Sequence, residues 1–341
     1  MGNADLAHHF AGRRVLVTGG LGFIGSNLAR RLVSLGAQVV LVDAMIPHHG
    51  GNYFNVDDVR DRLTIVEADI RDQPRLSSLV REQDMVFNLA GQVAHIDSMN
   101  DPFMDLEINC RAQLALMEAC RWHNPTVKVV YASTRQVYGR PEYVPADERH
   151  PTRPTDVNGI NKIAGERYHI LYHEVYGIRA AALRLTNTYG PRQALRLGPR
   201  QAFIPYWLRL AIEDQEIEVW GDGRQLRDLT YVDDVVEAFL LAAASDAADG
   251  EVFNVGGQQP ISLRDLAELI VRVAGSGRVV YRAFPDERKR IDVGSVYLES
   301  GKIARALGWQ PQVEVAEGVR RTIAYFREYR AQYLPADAAQ P

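Results

Sequence analysis

Cysteine is almost missing from this chain: Cys110 and Cys120 are the two in 341 residues. Both fall in what reads as one helix, where their spacing puts them ~15 Å apart along the axis, so no disulfide joins them. They read as half-buried thiols. No apolar run approaches the length of a membrane span, so no membrane association is expected. Met1 to Phe10 lacks the charged-then-apolar design of a signal peptide and is expected to be a loose tail, which leaves the cytoplasm as the expected compartment. A basic excess is missing too. Lys and Arg number 39 against 43 Asp and Glu, a formal charge of -4, which argues against nucleic acid because phosphate contacts need a basic face. A local basic pocket for a small phosphorylated ligand stays compatible with that balance. There is no internal repeat, and no metal site is expected.

What is present is the composition of an ordinary globular protein, 46% hydrophobic and 24% charged, at a length that suits a nucleotide domain plus a smaller substrate domain. Arg14–Thr18 is a short β-branched run ending at a glycine pair, and reads as a buried strand. Ser26–Leu35 shows helical apolar spacing through Leu28, Leu32 and Leu35, and Gly36 stops it. Further strands are predicted at 38–42, 63–67, 85–89, 128–132 and 180–185, with helices at 74–82, 103–123 and 159–176. Strands alternating with helices mean parallel pairing with helices on both faces. After Asn187 the texture changes: a loop-rich stretch, a helix at 202–211, a strand at 217–220, then strand and helix again from Asp228 to Ala244. Ser262 and Ser300 each precede a further helix. The expected fold is α/β, a Rossmann-type doubly wound parallel sheet with a smaller, discontinuous α/β substrate lobe. The expected division is 1–189 plus 229–256 for the nucleotide domain, 190–228 plus 257–334 for the substrate lobe, and 335–341 as a tail.

The most informative segment is Thr18-Gly19-Gly20-Leu21-Gly22-Phe23-Ile24-Gly25, lying between the first strand and the first core helix. Gly19, Gly22 and Gly25 permit a tight turn and let backbone N–H groups approach a pyrophosphate at the positive end of the helix. Phe23 and Ile24 lie in the same turn. Asp43 ends the second strand, where a ribose 2′-hydroxyl is gripped and a 2′-phosphate repelled, so NAD is predicted over NADP.

At this point the chain resembles the nucleotide-sugar epimerases and dehydratases of the extended short-chain dehydrogenase/reductase family, of the UDP-glucose 4-epimerase kind. The likeness runs from about Arg13 to Tyr325. Its markers are Thr18–Gly25, Ala68-Asp69-Ile70, Asn88-Leu89-Ala90-Gly91, Ser133-Thr134 before Val137-Tyr138-Gly139, Leu183-Arg184 with Asn187 and Tyr189-Gly190-Pro191, and Gly221-Asp222-Gly223 before Arg227-Asp228, Tyr231 and Asp233. The resemblance implies that Asp69 and Ile70 flank the adenine, that Leu89, Ala90 and Gly91 line the cofactor cleft, and that Asn109 supports the central helix. It places Thr134 as the catalytic hydroxyl, Asn187 and Arg227 on the substrate diphosphate, and Phe203 and Trp220 around the nucleotide base. Arg290 is a second candidate diphosphate clamp, since a guanidinium fork suits that anion.

One departure matters. The family's Tyr-x-x-x-Lys reads Asn158-Gly159-Ile160-Asn161-Lys162 here, with the lysine kept and the phenol replaced. Lys162 can still bind the nicotinamide ribose. A carboxamide does not ionise near neutral pH, so Asn158 can orient a sugar hydroxyl or cap a helix but cannot take its proton. Other candidate acceptors are Thr134 through a water, His95 or Asp97 in the loop expected after the fourth strand, and Tyr189. After Thr134 the chain has Arg135-Gln136, where dehydratases of the family carry an acidic pair. The implied reaction is therefore a redox-neutral epimerisation, commonly at C4, of a UDP-sugar: oxidation to a keto-sugar, rotation and re-reduction. Alternatives are a dehydratase or reductase with an atypical acid–base group, or a homologue that binds without turnover. Arg135 could also read an acidic sugar such as a uronate. Leu114, Met117, Tyr168, Leu171 and Tyr172 exceed what one core face needs, and the resemblance implies a homodimer through the helices that carry them.

Overall fold

A computed structural model of the chain describes residues 2–47, 49–93, 95–195, 202–284 and 293–334. Seven strands make the main sheet: β1 (Arg14–Thr18), β2 (Gln38–Asp43), β3 (Leu63–Glu67), β4 (Met85–Asn88), β5 (Lys128–Thr134), β6 (Arg179–Leu185) and β8 (Val252–Val255). Their order across the sheet is β8-β6-β5-β4-β1-β2-β3 and every pairing is parallel. The order reverses between β1 and β4, and in open α/β sheets a ligand crevice lies outside the strand ends at that switch point.

Helices cover both faces. Helices α2 (Phe23–Ser34) and α9 (Val232–Ala244) pack on one side with Leu28, Leu32, Val235 and Phe239 fully or almost fully buried. On the other side α3 (Gln73–Val80), α6 (Ala112–His123) and α7 (Val157–Tyr176) enclose Leu76, Leu116, Met117 and Tyr172. The central strands β1 and β4 lie between the layers with almost no polar face, as a two-sided parallel strand must. All six expected strands of this sheet are present, and β8 joins them at the edge.

The N-terminal segment expected to be a loose tail is instead a helix, α1 (Asn3–Phe10). Leu6 and Phe10, four residues apart and therefore on one face, are buried in the same cluster as α9. The predicted helix over 103–123 is helical but not uniform: α5 (Pro102–Leu106) runs through a π-turn at Glu107–Arg111 into α6. That extra residue in the turn rotates the sequence that precedes it relative to α6.

A second cluster gathers α8 (Phe203–Ile212), the parallel pair β7 (Glu216–Trp220) and β9 (Arg278–Arg282), α10 (Leu263–Ala274) and the helix Val315–Glu328. Ser262 caps α10 through its side chain, accepting from the Asp265 N–H. This lobe stands over the carboxyl ends of the sheet strands, and a long cleft runs between the two.

Candidate active site

At one end of the cleft the glycine loop does what its composition allows. Gly19 has φ +66°, and a Cβ on Gly25 would stand 2.2 Å from the Gly19 carbonyl oxygen, so neither position accepts a side chain. Gly22 precedes α2 and no side chain caps that helix, which leaves its first-turn N–H groups and its positive end for an anion. Asp43 closes the loop from β2: its carboxylate accepts from the Leu21 and Met45 N–H groups at 3.0 Å each. Burial pushes its pKa up while those N–H groups pull it back. Asp69 is held by the Arg71 guanidinium at 2.6 and 2.9 Å, which lowers its pKa. Gly19, Gly22, Phe23, Ile24, Gly25 and Asp43 all line the cleft, as do Asp69, Ile70, Leu89, Ala90 and Gly91.

Midway along, Thr134 ends β5 and turns the chain into a short 3-10 segment, its Oγ1 accepting from the Gln136 N–H at 3.2 Å. The neighbouring Ser133 is committed elsewhere: it donates to Glu166 at 2.6 Å, and Glu166 grips Arg184 at 2.6 and 2.9 Å. Lys162, 4% exposed, points from α7 to the Ala132 carbonyl at 2.8 Å and lies over the Tyr131 ring at 4.7 Å. Burial holds its pKa down to about 8, against the opposing pull of Asp105 and Glu166. A Cβ on Gly91 would stand 3.2 Å from Lys162 Nζ and 2.8 Å from Asn109 Oδ1. That Asn109 oxygen is buried with no hydrogen-bond partner. An open cradle between glycine, ammonium and an unsatisfied carboxamide suits a ribose with its hydroxyls.

Asn158 does not cap the helix, and of its carboxamide only the oxygen remains for a sugar hydroxyl in the cleft it lines. The residue that caps α7 is Asp156, whose carboxylate accepts from Gly159 N–H at 2.7 Å. Asn158, 1% exposed, donates from Nδ2 to the Gln92 carbonyl at 2.8 Å and to Asp105 Oδ2 at 2.9 Å. Both of its N–H bonds are thus used inside the protein, so its amide nitrogen is not available to steer a sugar hydroxyl. Asp105 was not singled out from the sequence. It is wholly buried and accepts from Asn109 at 3.0 Å, Asn158 at 2.9 Å and Asn161 at 2.8 Å. Asp105 and Asn109 are one turn apart on one helix face, and Asn158 and Asn161 are one turn apart on another, but no spacing links the two helices to each other.

The remaining candidates divide. Tyr189 is buried, donates to the Val315 carbonyl and has its pKa driven far up by burial, so it is not a proton acceptor at the cleft. His95 begins a short helix, α4 (His95–Asn100), instead of lying in a loop; its side chain lies outside the described residues. Asp97 belongs to the same helix. Phe203, Trp220, Asn187 and Arg227 line the far part of the cleft, and Trp220 meets Phe284 edge-on at 6.1 Å. Asn187 donates to the Asp228 carbonyl at 3.0 Å, and Arg227 to the carbonyls of Leu226 and Gly294. Arg290 lies outside the described residues. Among the described residues no group of three His, Cys, Asp or Glu could hold a metal, and no helix is long and apolar enough to cross a membrane.

A model of the NAD dependent epimerase/dehydratase family matches residues 15–256. The chain belongs to that family. NAD is accordingly the cofactor of this epimerase/dehydratase-family protein, and the Gly19–Gly25 loop, Asp43 and the Gly91 cradle fit it. Relatives carry different activities. The chain is 32% identical over 316 residues to a putative UDP-glucose 4-epimerase of Methanocaldococcus jannaschii, covering 92% of this chain and 98% of that one. It is 30% identical over 331 residues to a dTDP-glucose 4,6-dehydratase of Streptomyces niveus, covering 94% and 95%. The UDP-glucose 4-epimerase of Thermotoga maritima, solved with UDP-glucose, superposes with a TM-score of 0.84 at 31% identity, covering 93% and 99%. Family membership and the nucleotide-sugar class follow from these matches, while the relatives' reactions differ among themselves.

Proposed function

We propose that the protein is an NAD-dependent UDP-sugar epimerase that inverts C4 by transient oxidation and re-reduction. The observation that carries this reading is the pair Arg135 and Gln136, both lining the cleft directly after Thr134. Eliminating water from a hexose needs an acid and a base beside C5 and C6, and neither a guanidinium nor a carboxamide supplies both. Epimerisation asks less, because one group takes a hydroxyl proton and returns it. Lys162, with its pKa near 8, has a neutral fraction close to neutral pH and takes over the acceptor role through Thr134. In this reading the sheet domain, 1–189 plus 229–256, takes NAD. The lobe of 190–228 plus 257–334 takes the nucleotide, with Phe203 and Trp220 about the base and Asn187 and Arg227 on the diphosphate.

The internal commitment of Asn158 favours a second reading, in which NAD and the nucleotide sugar bind without turnover. Proton NMR of the protein with NAD and a panel of UDP-hexoses separates the two. A new C4 epimer with no net NADH supports the epimerase. A 4-keto-6-deoxy product would convert it to a dehydratase, and no product despite bound NAD would leave the binding reading.

A homodimer forms part of the proposal. Met117 and Tyr172 prove to be core residues. Toward the ends of α6 and α7 the outward apolar groups are Trp122 and, on α7, Leu171, Val175 and Tyr176, each 43–67% exposed. Four large apolar side chains on adjacent helices form a face that a second copy would cover.

A further inference from the structure

Two arginines near the end of β5 show opposite accounts of a buried charge. Arg184 is matched on all sides: two bonds to Glu166 and one to the Tyr138 hydroxyl at 2.8 Å. Among the described residues the Arg135 guanidinium makes a single hydrogen bond, from Nη2 to Asn187 Oδ1, and at 3.5 Å it sits at the limit of such a contact. A guanidinium has five N–H donors. Among the described residues no carboxylate is close enough to pair with it; Asp228 and Asp156 attract it only from a distance, and burial works against its charge. An unpaired, partly buried cation is costly to fold, so it calls for a partner that the described residues do not provide.

The location says where that partner sits. Arg135 follows Thr134 directly, lines the cleft, and extends toward Asn187. It therefore stands between the position of the reacting sugar ring and that of the diphosphate. Arg227 already serves the lobe side of the cleft. Resting on the nucleotide-sugar reading above, we propose that Arg135 determines sugar specificity by pairing with a carboxylate carried on the sugar ring, so that the preferred substrate is an acidic nucleotide sugar. A planar carboxylate offers two oxygens to the guanidinium fork, and such a charge-assisted pair inside a cleft discriminates against a neutral hydroxymethyl group by about ten- to a hundred-fold.

The test uses the NAD-loaded protein and three probes: UDP, UDP-glucose and UDP-glucuronate, the two sugars differing only at C6. Affinities are measured by titration calorimetry for the wild type, Arg135→Gln and Arg135→Lys. The expected result is a preference for UDP-glucuronate over UDP-glucose of about ten-fold or more in the wild type. Arg135→Gln loses it, and Arg135→Lys, which keeps the charge without the fork, retains part. Affinities for UDP and UDP-glucose stay within about two-fold across the three proteins, which also shows that the variants fold. Equal wild-type affinity for the two sugars overturns the proposal, as does a preference that survives in Arg135→Gln. A loss of UDP affinity in Arg135→Gln as large as the loss of UDP-glucuronate affinity would assign Arg135 to the diphosphate and overturn it as well. Failure of all three probes to bind the wild type would instead overturn the nucleotide-sugar reading beneath it.

Discussion

Replacing Lys162 with Met tests the electrostatics of the site without reference to any substrate. The lysine is 4% exposed and burial lowers its pKa from 10.5 to about 8. The sign follows from proton counting. Between those two values the unfolded chain holds the proton and the folded chain has lost it, so stability rises with pH across that window; below about pH 8 both forms are charged and the cost of burying the ammonium is felt in full. Each pKa unit corresponds to about 1.4 kcal/mol, so the total is about 3 kcal/mol, of which about 2 kcal/mol is recovered by pH 9.5. Methionine has no proton to lose. Urea unfolding of NAD-free wild type and Lys162→Met at a series of pH values should therefore give a difference curve that is flat below about pH 7.5. Above it the wild type gains about 2 kcal/mol on the variant by pH 9.5. Lost contacts to the Ala132 carbonyl and the Tyr131 ring displace that curve by a constant and leave its slope alone. Parallel curves across the whole range would refute the buried-ammonium account. They would also remove the reason for giving Lys162 the acceptor role.

Three further perturbations follow from the same geometry. Asn158→Tyr returns the family's phenol but breaks one charge-assisted and one neutral hydrogen bond, so it should lose about 2–4 kcal/mol of stability with no gain in turnover; a stable variant with faster turnover would show that Asn158 is not a strut. Asp43→Asn should shift the NADP-to-NAD affinity ratio by about ten-fold toward NADP in fluorescence titrations, since it removes a charge that opposes the 2′-phosphate, and an unchanged ratio would detach Asp43 from the ribose. Leu171→Glu places a charge in the outward apolar face, where Leu171 is 44% exposed. Light scattering should then report a monomer, and an unaltered dimer mass would move the interface elsewhere.

Much of the fold could be read from local pattern, because β1, the glycine loop, α2, β2 and Asp43 are contiguous and each is specified by its own neighbours. Asn158 shows where such reading stops. Its loss of the phenol is visible in the sequence, yet its partners Gln92 and Asp105 lie 66 and 53 residues away, and no local spacing announces them. Helix α1 escaped for a related reason: two apolar residues a turn apart make a weak signal until α9 is there to receive them. The π-turn at 107–111 likewise depends on packing and not on any breaker in the sequence. Arg135 was legible as a departure from the family, but only the surrounding structure shows how few of its donors are used.

The three carboxamides around Asp105 also bear on the history open to this site. Asparagine and tyrosine codons differ by a single base, so mutation supplies the phenol readily. Such a change in the present background takes one donor from a wholly buried carboxylate, and selection meets an unstable protein before it meets an improved catalyst. The opposite order, in which Asp105 first becomes asparagine, turns one of its two accepting oxygens into a donor that faces carboxamide N–H groups and is penalised on its own. Each step is blocked until the other has been taken. The arrangement is therefore an epistatic ratchet, and the chemistry of this protein has to be improved around Asn158, not by undoing it.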